Sequence, residues 1–458
     1  MTNLLLTILL VAQAATTPTL QQVREQLEVI SRDLLRVIES IPKTKTVTTS
    51  AELTAALLEG GEIWLQADTT FSGGFTIGVS GTKIVGNRAT LVGVAAPALR
   101  IRPGVVDVDI AQLSATSNYP GAVIECGQNG PGQIAVAQQP ARITFREVTI
   151  PTHRGKRGFE LNCSATILGS TVLDLWSTAL ADSQAINVSN TCGPVTVIGG
   201  TYVAGSENIM VGGDTLKIKD CPEGVAADLL FDEVTLIKPE EWRTDGVNRG
   251  VKNLLELKAG KRVRVRNLKA SGSWKAAQDG YAIVITPRNA QYIEDVVLEF
   301  LTIDRVGAGV NLMGINLPAN DTPRPTSKVV LRDSSFTISS ATYGGRGILA
   351  LVTNGTQDFT VERVSATFNG NAIIQAESST PQGPLTMRAS QMRTGKYAIF
   401  NNGILYGGPP PAGSENKAFS MVLEGNTFAD APSQFKGFYP SNTWVTSAAL
   451  RSQQLRSR

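Results

Sequence analysis

One eight-residue pattern recurs ten times along this chain: apolar, any residue, apolar, two residues of any kind, an apolar or small residue, any residue, apolar. It can be read at ITFREVTI (143–150), VTVIGGTY (195–202) and LLFDEVTL (229–236), and its last copy lies in SMVLEGNTF (420–428). Apolar residues at alternate positions are typical of β-strands with one buried face, and the central pair often holds residues that suit a bend. Each copy therefore predicts two short strands joined at a bend.

The spacing of the copies decides between repeat architectures. Equivalent positions of successive copies lie 22 to 36 residues apart, and a second series of short apolar segments precedes most copies, as in AINV (185–188) and AIVIT (282–286). A β-propeller needs near-constant blades of about 40 residues, and a leucine-rich repeat needs periods of about 20 to 29. The pattern instead predicts an all-β fold, a right-handed single-stranded parallel β-helix over residues 43–435, followed by a tail over 436–458.

The first residues contain a short apolar run, LLLTILLVAQAA (4–15), which ends in the small-x-small triplet Ala12-Gln13-Ala14 and one further alanine. We interpret residues 1–16 as a secretory signal peptide, which predicts an extracellular protein. The alternative is an uncleaved apolar N-terminus, because no Lys or Arg precedes the run. In either case the run is too short to span a membrane.

Residues 17–42 predict a short N-terminal helix that ends at Pro42. Apolar residues alternate there at steps of three and four, at Leu20, Val23, Leu27, Ile30, Leu34, Val37 and Ile41. This spacing is a coiled-coil seam about three heptads long, and its residue types favour more than two strands, so the segment 20–41 predicts a homotrimer. The alternative is a helix that caps the open end of the solenoid core.

Charge and cysteine content narrow the possible partners. The formal net charge is +3, and Lys and Arg are scattered among Asp and Glu, which argues against a nucleic-acid partner. The four cysteines fit an oxidising compartment and lack metal-site spacing. Since Cys163 and Cys192 fall near the same point of consecutive coils, a disulfide between them is predicted.

Several segments, in the same order, resemble a family of extracellular right-handed parallel β-helix proteins that are pectate-lyase-like in fold and known mainly from environmental bacterial sequences. The matching segments are SAELTAALLEGGEIWLQADTTFSGGF (50–75), HRGKRGFELN (153–162), DSQAI (182–186), SENIMVGGD (206–214), VKNLLELK (251–258), AQDGYAIVITPRN (277–289) and VGAGVNLMG (306–314). The resemblance implies this fold over about residues 46–430. It implies no catalytic residues, because the Trp-x-Asp-His segment of pectate lyases and the Asn-Thr-Asp and Gly-His-Gly segments of polygalacturonases are absent.

The second series of strands predicts a binding surface. Alternate side chains of a strand face opposite ways, which assigns to the core Leu161, Ile186, Ile209, Leu255, Ile283 and Leu312. The opposite parity then predicts an outward polar stripe of ligand-binding residues: Glu160, Asn162, Asn187, Asn208, Glu256, Lys258, Thr286 and Asn311, with Asp214 and Asn289 at its margins. Groups that donate and accept hydrogen bonds along an extended face suit a polysaccharide. The alternative is a solvated sheet face with asparagine ladders.

Three charged residues beside the stripe are candidate catalytic residues: Glu207, Asp279 and Arg288. Glycosidases need two carboxyls across the bond being cut, and a lyase needs a base and a cation. The alternative is that each residue only stabilises a turn or a coil. Trp242 and Trp274 lie in polar loops, where they could stack on sugar rings or cover a coil junction.

Metal and cofactor sites are not predicted. The only histidine, His153, excludes a multi-histidine site, and we interpret it as a structural turn residue, with a general base as the alternative. Asp182 and Asp214 could contribute to a calcium site, but no calcium-loop motif is present.

Taken together, the sequence predicts an extracellular β-helix protein that engages a polysaccharide along one face. It would act either as a binder or as a polysaccharide lyase or glycoside hydrolase. One alternative is a trimeric phage tailspike or tail fibre that binds host surface glycans. The coiled-coil seam and the weak signal favour this alternative, whereas the cleavage triplet and the family resemblance favour the secreted protein. A further alternative is a structural surface protein with no ligand.

Overall fold

The computed structural model describes residues 45–128, 133–316, 321–370, 372–377, 383–393, 399–401, 404–406, 421–430 and 440–450. The predicted signal peptide over 1–16 and the predicted helix over 17–42, with its seam at 20–41, lie outside the described residues. The described residues from 46 onward belong to one compact unit. Within the described residues, no helix is long and apolar enough to cross a membrane.

Three long sheets, named A, B and C in the order in which the chain visits them, contain nearly all described strands. Sheet A contains Lys45–Val47, Glu62–Leu65, Lys83–Val85, Val106–Ala111, Ala141–Arg146, Ala165–Leu168, Val195–Ile198, Ala227–Asp232, Gly260–Arg266, Ile293–Glu299, Ser327–Arg332, Gln357–Glu362, Gly383–Arg388 and Met421–Glu424. Sheet B contains Thr70–Ser72, Thr90–Gly93, Ser114–Ser117, Thr149–Ile150, Thr171–Leu175, Thr201–Ala204, Thr235–Ile237, Lys269–Ser273, Thr302–Val306, Ser335–Ile338, Ser365–Thr367, Gln391–Arg393, Thr427–Ala429 and Thr443–Val445. Sheet C contains Phe75–Ile77, Leu99–Ile101, Ala122–Cys126, Arg157–Leu161, Gln184–Val188, Glu207–Val211, Leu255–Leu257, Tyr281–Ile285, Ala308–Met313, Ala350–Thr353, Ile374–Glu377, Ile399–Asn401 and Ile404–Tyr406. A separate parallel pair joins Ile134–Ala135 to Ile218–Lys219.

Successive coils contribute strands to sheets A, B and C in turn, and strands of one sheet pair in parallel from coil to coil, except that Ile399–Asn401 and Ile404–Tyr406 at the end of sheet C are antiparallel. In sheet A, for example, Val263 pairs with Val296, and Val296 pairs with Val329. The predicted right-handed parallel β-helix is confirmed, with an advance of about 4.8 Å per coil. The last strand of sheet B, Thr443–Val445, lies inside the segment predicted as a tail.

The bend between sheets A and B accounts for the recurring sequence pattern. Its first residue has a left-handed backbone, with φ of 53° at Glu147, 53° at Asn267 and 50° at Asp333. Asn, Asp and Gly tolerate this conformation best, which explains their frequency at the centre of the pattern. The following residue, such as Val148 or Leu268, is buried in the core.

Equivalent apolar side chains stack from coil to coil in the interior. Ile209 pairs in register with Leu255, and Leu255 pairs with Ile283. All inward positions predicted from the second series are at most 1% exposed: Leu161, Ile186, Ile209, Leu255, Ile283 and Leu312. The predicted parity of these strands is therefore confirmed at the core positions.

A helix that the sequence analysis did not predict, α1 (Ser50–Glu59), precedes the first full coil. Its N-terminus is a capping box in which the hydroxyl of Thr49 accepts from the Glu52 N–H and the Glu52 carboxylate accepts from the Thr49 N–H. Its buried side chains are Leu53, Ala56 and Leu57. Other short helical segments among the described residues are α2 (Ser340–Tyr343), residues 447–450 and two 3-10 turns, Val136–Gln138 and Glu240–Arg243.

The predicted disulfide between Cys163 and Cys192 is wrong. Cys126 is bonded to Cys163 and Cys192 to Cys221, with Cα–Cα distances of 5.8 and 5.6 Å. The reason lies in the stacking of the coils, since the hydroxyl of Thr191 donates to the carbonyl of Cys163 at 3.0 Å. Thr191 rather than Cys192 therefore lies against Cys163.

Candidate functional site

A β-bulge near the start of the sheet C strands decides which side chains face outward. The N–H groups of Asn208 and Ile209 both donate to the carbonyl of Leu254, at 3.1 Å each. Two consecutive side chains are therefore directed into the core, as at Ala185 and Ile186, which are both 0% exposed. The residues on either side of such a pair face outward.

Three rows of side chains make up what we refer to as the outer face of sheet C. The first row precedes the bulge and holds Arg157, Gln184, Glu207, Asn253 and Tyr281. The second row follows the bulge and holds Arg100, Glu125, Glu160, Asn187, Met210, Glu256, Val284 and Asn311. The third row lies two residues further along each strand and holds Asn162, Ser189, Lys258 and Thr286.

Much of this face is buried although it lies outside the core. Asn187, Glu207 and Glu256 are 1%, 0% and 3% exposed, and Glu160 is 7% exposed. Charged groups removed from water in this way must be paired or must lose their charge. The electrostatics of the face therefore depend on the partners of three glutamates.

Glu160 has a basic partner and an amide partner. The Arg157 Nε lies 3.3 Å from one carboxylate oxygen, and the Asn187 amide donates to both oxygens at 3.0 and 3.1 Å. Burial raises the pKa of Glu160 to about 7, and the carboxylates of Asp214 and Glu125 add to this rise, while Arg157 and Asn187 oppose it. The carboxyl therefore changes charge near neutral pH.

Glu207 contacts an amide and a lysine. Its carboxylate accepts a hydrogen bond from the Gln184 amide, and the Lys252 Nζ lies 3.3 Å from its other oxygen. The same Lys252 Nζ contacts the carboxylate of Asp182 at 2.6 Å. Lys252 thus joins a fully buried carboxylate to an exposed one at the edge of the face.

Glu256 has an amide partner and a basic partner. The Asn253 amide donates to its carboxylate at 3.3 Å, and the Lys258 Nζ lies 3.6 Å from it. Burial is the main cause of the raised pKa of Glu256, the charge of Glu207 adds to it, and Lys258 opposes it. The neutral form of this carboxyl is therefore favoured more than it would be in water.

Unpaired neutral polar atoms are concentrated on the same face. Among the described residues, thirteen buried side-chain nitrogen or oxygen atoms have no hydrogen-bond partner, and six of these belong to groups that form ion pairs. The remaining seven are neutral, and all lie on the outer face of sheet C: Asn162 Nδ2, Gln184 Oε1, Asn187 Oδ1, Asn253 Oδ1, Tyr281 Oη, Thr286 Oγ1 and Asn311 Oδ1. Since buried polar groups are nearly always hydrogen-bonded in proteins, this concentration marks the face as a candidate binding site.

The prediction that Asn208 faces outward is wrong. Its amide donates to the carbonyls of Tyr202 and Ile237 at 2.6 and 2.9 Å, and its oxygen accepts from the Lys238 Nζ at 2.8 Å. The bulge shifts the parity at this position, so that Met210 takes the place in the second row. Lys238 is 0% exposed and also donates to three backbone carbonyls, of Ala204, Gly205 and Ser206, and burial lowers its pKa to about 7.

The three predicted catalytic residues are not brought together. Asp279 is exposed on a loop before its strand, whereas Glu207 is buried in the first row. Arg288 donates to the carbonyl of Pro287 at 2.9 Å and to the Asn316 oxygen at 3.1 Å. Over the described ranges, no hydrogen bond or ion pair joins any two of the predicted three.

Two predicted margin residues hold neighbouring loops beside the third row. The Asn289 amide donates to the carbonyl of Gly213, and the Ser189 hydroxyl donates to the Asp214 carboxylate at 3.0 Å. These contacts link the loop after Val211 to the loop after Ile285 and to the loop after Val188. They form one wall along the outer face of sheet C.

The opposite wall is built from tryptophan and arginine. The Arg249 guanidinium lies 4.7 Å from the ring centroid of Trp242 and 5.2 Å from that of Trp176, and Arg154 lies 4.6 Å from Trp176. Arg249 therefore covers part of the Trp242 ring. Trp274 is 7% exposed and packs into the coil junction rather than presenting its ring to solvent.

His153 and the possible calcium ligands support no metal site. His153 is 2% exposed, and its two ring nitrogens contact the carbonyls of Ser117 and Gly121 at 3.2 and 3.0 Å, so we assign it a structural role. Asp182 pairs with Lys252 and Asp214 accepts from Ser189. Across the described part of the chain, no group of three or more His, Cys, Asp and Glu side chains is placed to hold a metal ion.

The sequence analysis missed several residues of the site, among them Gln184, Lys252, Asn253, Tyr281 and Met210. Gln184 and Asn253 share a signal, a polar residue directly before two apolar residues, in SQAI and KNLL. Such a residue becomes the first outward position once the bulge is taken into account. Met210 carries no comparable signal.

Comparisons with known proteins give similarities in structure only. No protein-family model matches the chain, and no curated protein matches its sequence. A mannuronic acid specific polysaccharide family 6 lyase from human gut microbiota is 12% identical, with a TM-score of 0.44 over 90% of this chain and 94% of the lyase. A tailspike mutant of E. coli bacteriophage HK620 in complex with a hexasaccharide is 12% identical, with a TM-score of 0.43 over 88% of this chain and 75% of the tailspike. An alginate lyase from Paenibacillus sp. str. FPU-7 is 12% identical, with a TM-score of 0.32 over 84% of this chain and 98% of the lyase.

Proposed function

We propose that this protein binds a polysaccharide along the outer face of sheet C. The observation that carries the proposal is the set of seven neutral, buried and unpaired polar atoms, all of them on this face. Sugar hydroxyls both donate and accept hydrogen bonds, so an extended glycan can satisfy amide oxygens, an amide nitrogen and hydroxyls in the same groove. Coils about 4.8 Å apart repeat these groups along the direction in which such a chain would lie.

Binding is better supported than hydrolysis by the surroundings of the predicted acids. Glycosidases need two carboxyls that flank the bond being cut. Glu207 is fully buried, and the Lys252 Nζ lies 3.3 Å from its carboxylate. Asp279 is exposed on a loop, and within the described ranges no hydrogen bond joins it to Glu207.

The localisation and assembly of the protein are part of the same proposal. Residues 1–16 would direct secretion, and the seam over 20–41 would hold three chains together, as in the tailspike alternative. N-terminal sequencing of the mature protein tests secretion, since a cleaved chain that begins near residue 17 supports it.

Deleting residues 20–41 tests assembly. The deletion should reduce the mass in light scattering threefold while the β signal in circular dichroism is retained, and an already monomeric full-length protein would rule out the trimer.

The test of binding uses two matched threonines. Thr286 has an unpaired, buried hydroxyl on the outer face of sheet C, whereas Thr360 lies in the middle of a sheet A strand. Thr286→Val should weaken glycan binding about tenfold, the value of one hydrogen bond of about 1.4 kcal/mol, and Thr360→Val should leave it unchanged. Calorimetry with neutral, uronate and sulfated polysaccharides measures the affinities.

Further variants extend the test to the predicted residues. Asn187→Ala should weaken binding, and Glu207→Gln, Asp279→Asn and Arg288→Ala report whether the first row and the margins take part. Release of reducing or unsaturated ends measures cleavage in parallel. Binding that none of the sheet C variants changes would remove this site, and failure to bind any glycan would leave a structural surface protein.

A further inference from the structure

Three cations on or beside the outer face of sheet C, Arg157, Lys252 and Lys258, lie against buried carboxyls of the same protein. The contacts are Arg157 to Glu160 at 3.3 Å, Lys252 to Glu207 at 3.3 Å and Lys258 to Glu256 at 3.6 Å. The glutamates thus occupy the positions that the anionic groups of a ligand would take. An anionic glycan has to compete with these internal carboxylates for the same cations.

The competing carboxylates differ from ordinary surface ones because they are almost completely desolvated. Glu160 and Glu256 are 7% and 3% exposed, and each has a second carboxyl nearby. Burial raises the pKa of both groups, to about 7 in the case of Glu160. A protonated carboxyl no longer neutralises the cation beside it.

We infer that protonation of Glu160 and Glu256 frees Arg157 and Lys258 to bind an anionic glycan, so that affinity for such a glycan rises as the pH falls from 8 to 5. This inference rests on the proposed binding function and specifies its ligand class and regulation. At pH 8 the internal carboxylates hold the cations, and at pH 5 sulfate or uronate groups of the ligand replace them. A neutral glycan would not show this dependence.

The other charged groups around these carboxyls are few. Glu160 faces Arg157 on its own strand, Glu125 on the preceding coil and Asp214 on the adjoining loop. The charged groups that face Glu256 are Lys258 on the same coil and Glu207 on the preceding coil. The charges near Glu207 are Lys252, which also contacts Asp182, and the buried Lys238.

The size of the effect follows from the titration of one group. With a pKa of about 7, Glu160 is protonated in roughly a tenth of molecules at pH 8 and in nearly all at pH 5. If the binding-competent form is the protonated one, the apparent dissociation constant is divided by its population. Affinity should therefore rise about tenfold between these pH values through Glu160 alone, and further through Glu256.

The experiment measures binding of dextran sulfate, whose sulfate groups stay ionised at both pH values, with polygalacturonate and neutral dextran beside it. Glu160→Gln mimics the protonated group, so it should bind dextran sulfate several-fold more tightly than wild type at pH 8. The double variant Glu160→Gln/Glu256→Gln should bind equally at pH 8 and pH 5. Glu299→Gln, which removes the same charge from an ion pair on sheet A, is the matched control and should behave as wild type.

The outcomes separate this inference from the proposed function. Binding of anionic glycans with equal affinity at both pH values, or the same gain from Glu299→Gln as from Glu160→Gln, overturns the inference and leaves the binding function intact. Binding of neutral dextran but of neither polyanion overturns the ligand class. Binding of none of the three at either pH counts against the proposed function itself.

Discussion

The outer faces of sheets A and C use charged residues in opposite ways. At the end of the sheet A strands, residues paired from coil to coil alternate in sign over seven coils: Asp232, Arg266, Glu299, Arg332, Glu362, Arg388 and Glu424. The arginines of this row are 40 to 53% exposed, and contacts such as Arg388 to the exposed Glu424 at 3.4 Å join neighbouring coils. Exposed ion pairs of this kind contribute little to stability.

On sheet C the charges are buried and their balance is incomplete. Glu160, Glu207 and Glu256 are at most 7% exposed, and burial raises the pKa of Glu160 and Glu256 although each has a cation within 3.6 Å. The loops before and after the sheet C strands carry the partners Lys252, Asp214 and Asn253, which cover the outward side chains of this sheet. Burial thus converts a row of polar residues from a solvated surface into a site.

The largest losses of unfolding free energy are expected in the stacked core, on which sheets A and C both pack. Leu255 in sheet C and Leu331 in sheet A are 1% and 0% exposed. Leu255→Asp and Leu331→Asp should each lower the free energy of unfolding by about 5 kcal/mol or more, because each buries an unpaired charge. Chemical denaturation followed by circular dichroism measures this, and a soluble, folded Leu255→Asp variant would contradict the assigned parity.

The next largest loss of unfolding free energy is expected when the buried cation Lys238 is removed. Lys238→Met removes the donor for three backbone carbonyls and the Asn208 oxygen, and it should cost about 3 to 5 kcal/mol of unfolding free energy. The same denaturation measurement applies. A cost below about 1 kcal/mol would show that the corner between sheets B and C does not depend on this lysine.

A smaller effect concerns pH. Because the raised pKa of Glu160 means that the folded state binds its proton more tightly, its contribution to stability is present at low pH and is lost as the pH rises through about 7. Unfolding free energy should fall by at most about 3 kcal/mol between pH 4.5 and pH 7.5, and Glu160→Gln should remove that part of the slope. Glu299→Gln on sheet A should leave the slope unchanged, and equal slopes in wild type and Glu160→Gln would refute the assignment.

The smallest effect is expected on sheet A. Arg332→Met breaks the contact to Glu299 at 2.8 Å, but both groups remain accessible to water. The loss should be about 0.2 to 1 kcal/mol and should shrink further in high salt. A loss as large as that of Lys238→Met would remove the distinction between the two faces.

The β-helix and its core positions could be predicted because both follow from local alternation of apolar residues. Helix α1 was missed although its capping box, Thr49 with Glu52, is visible in the sequence, since the alternating pattern was assumed to begin before it. The wrong disulfide shows a second limit. Coil lengths differ, and an error of one residue in stacking places Thr191 where Cys192 was expected.

The site was predictable only in part for a similar reason. Glu160, Asn187 and Glu256 were placed correctly, because they follow the core residue and keep its parity. Asn208 was misplaced because the bulge depends on hydrogen bonds between coils that no local pattern reveals. The partners of Glu207 come from neighbouring coils far away in sequence, so neither Gln184 nor Lys252 could be assigned to it from spacing alone.

The alternating row on sheet A has a consequence for how a chain of this kind changes length. Deleting the single coil that carries Glu299 would place Arg266 directly against Arg332, and like charges opposite each other in a sheet cost roughly 0.2 to 1 kcal/mol. Deleting that coil together with the next would pair Arg266 with Glu362 and restore the alternation. In this stretch the protein can therefore gain or lose two coils at a time with little electrostatic cost. The row thus favours insertions and deletions of an even number of coils.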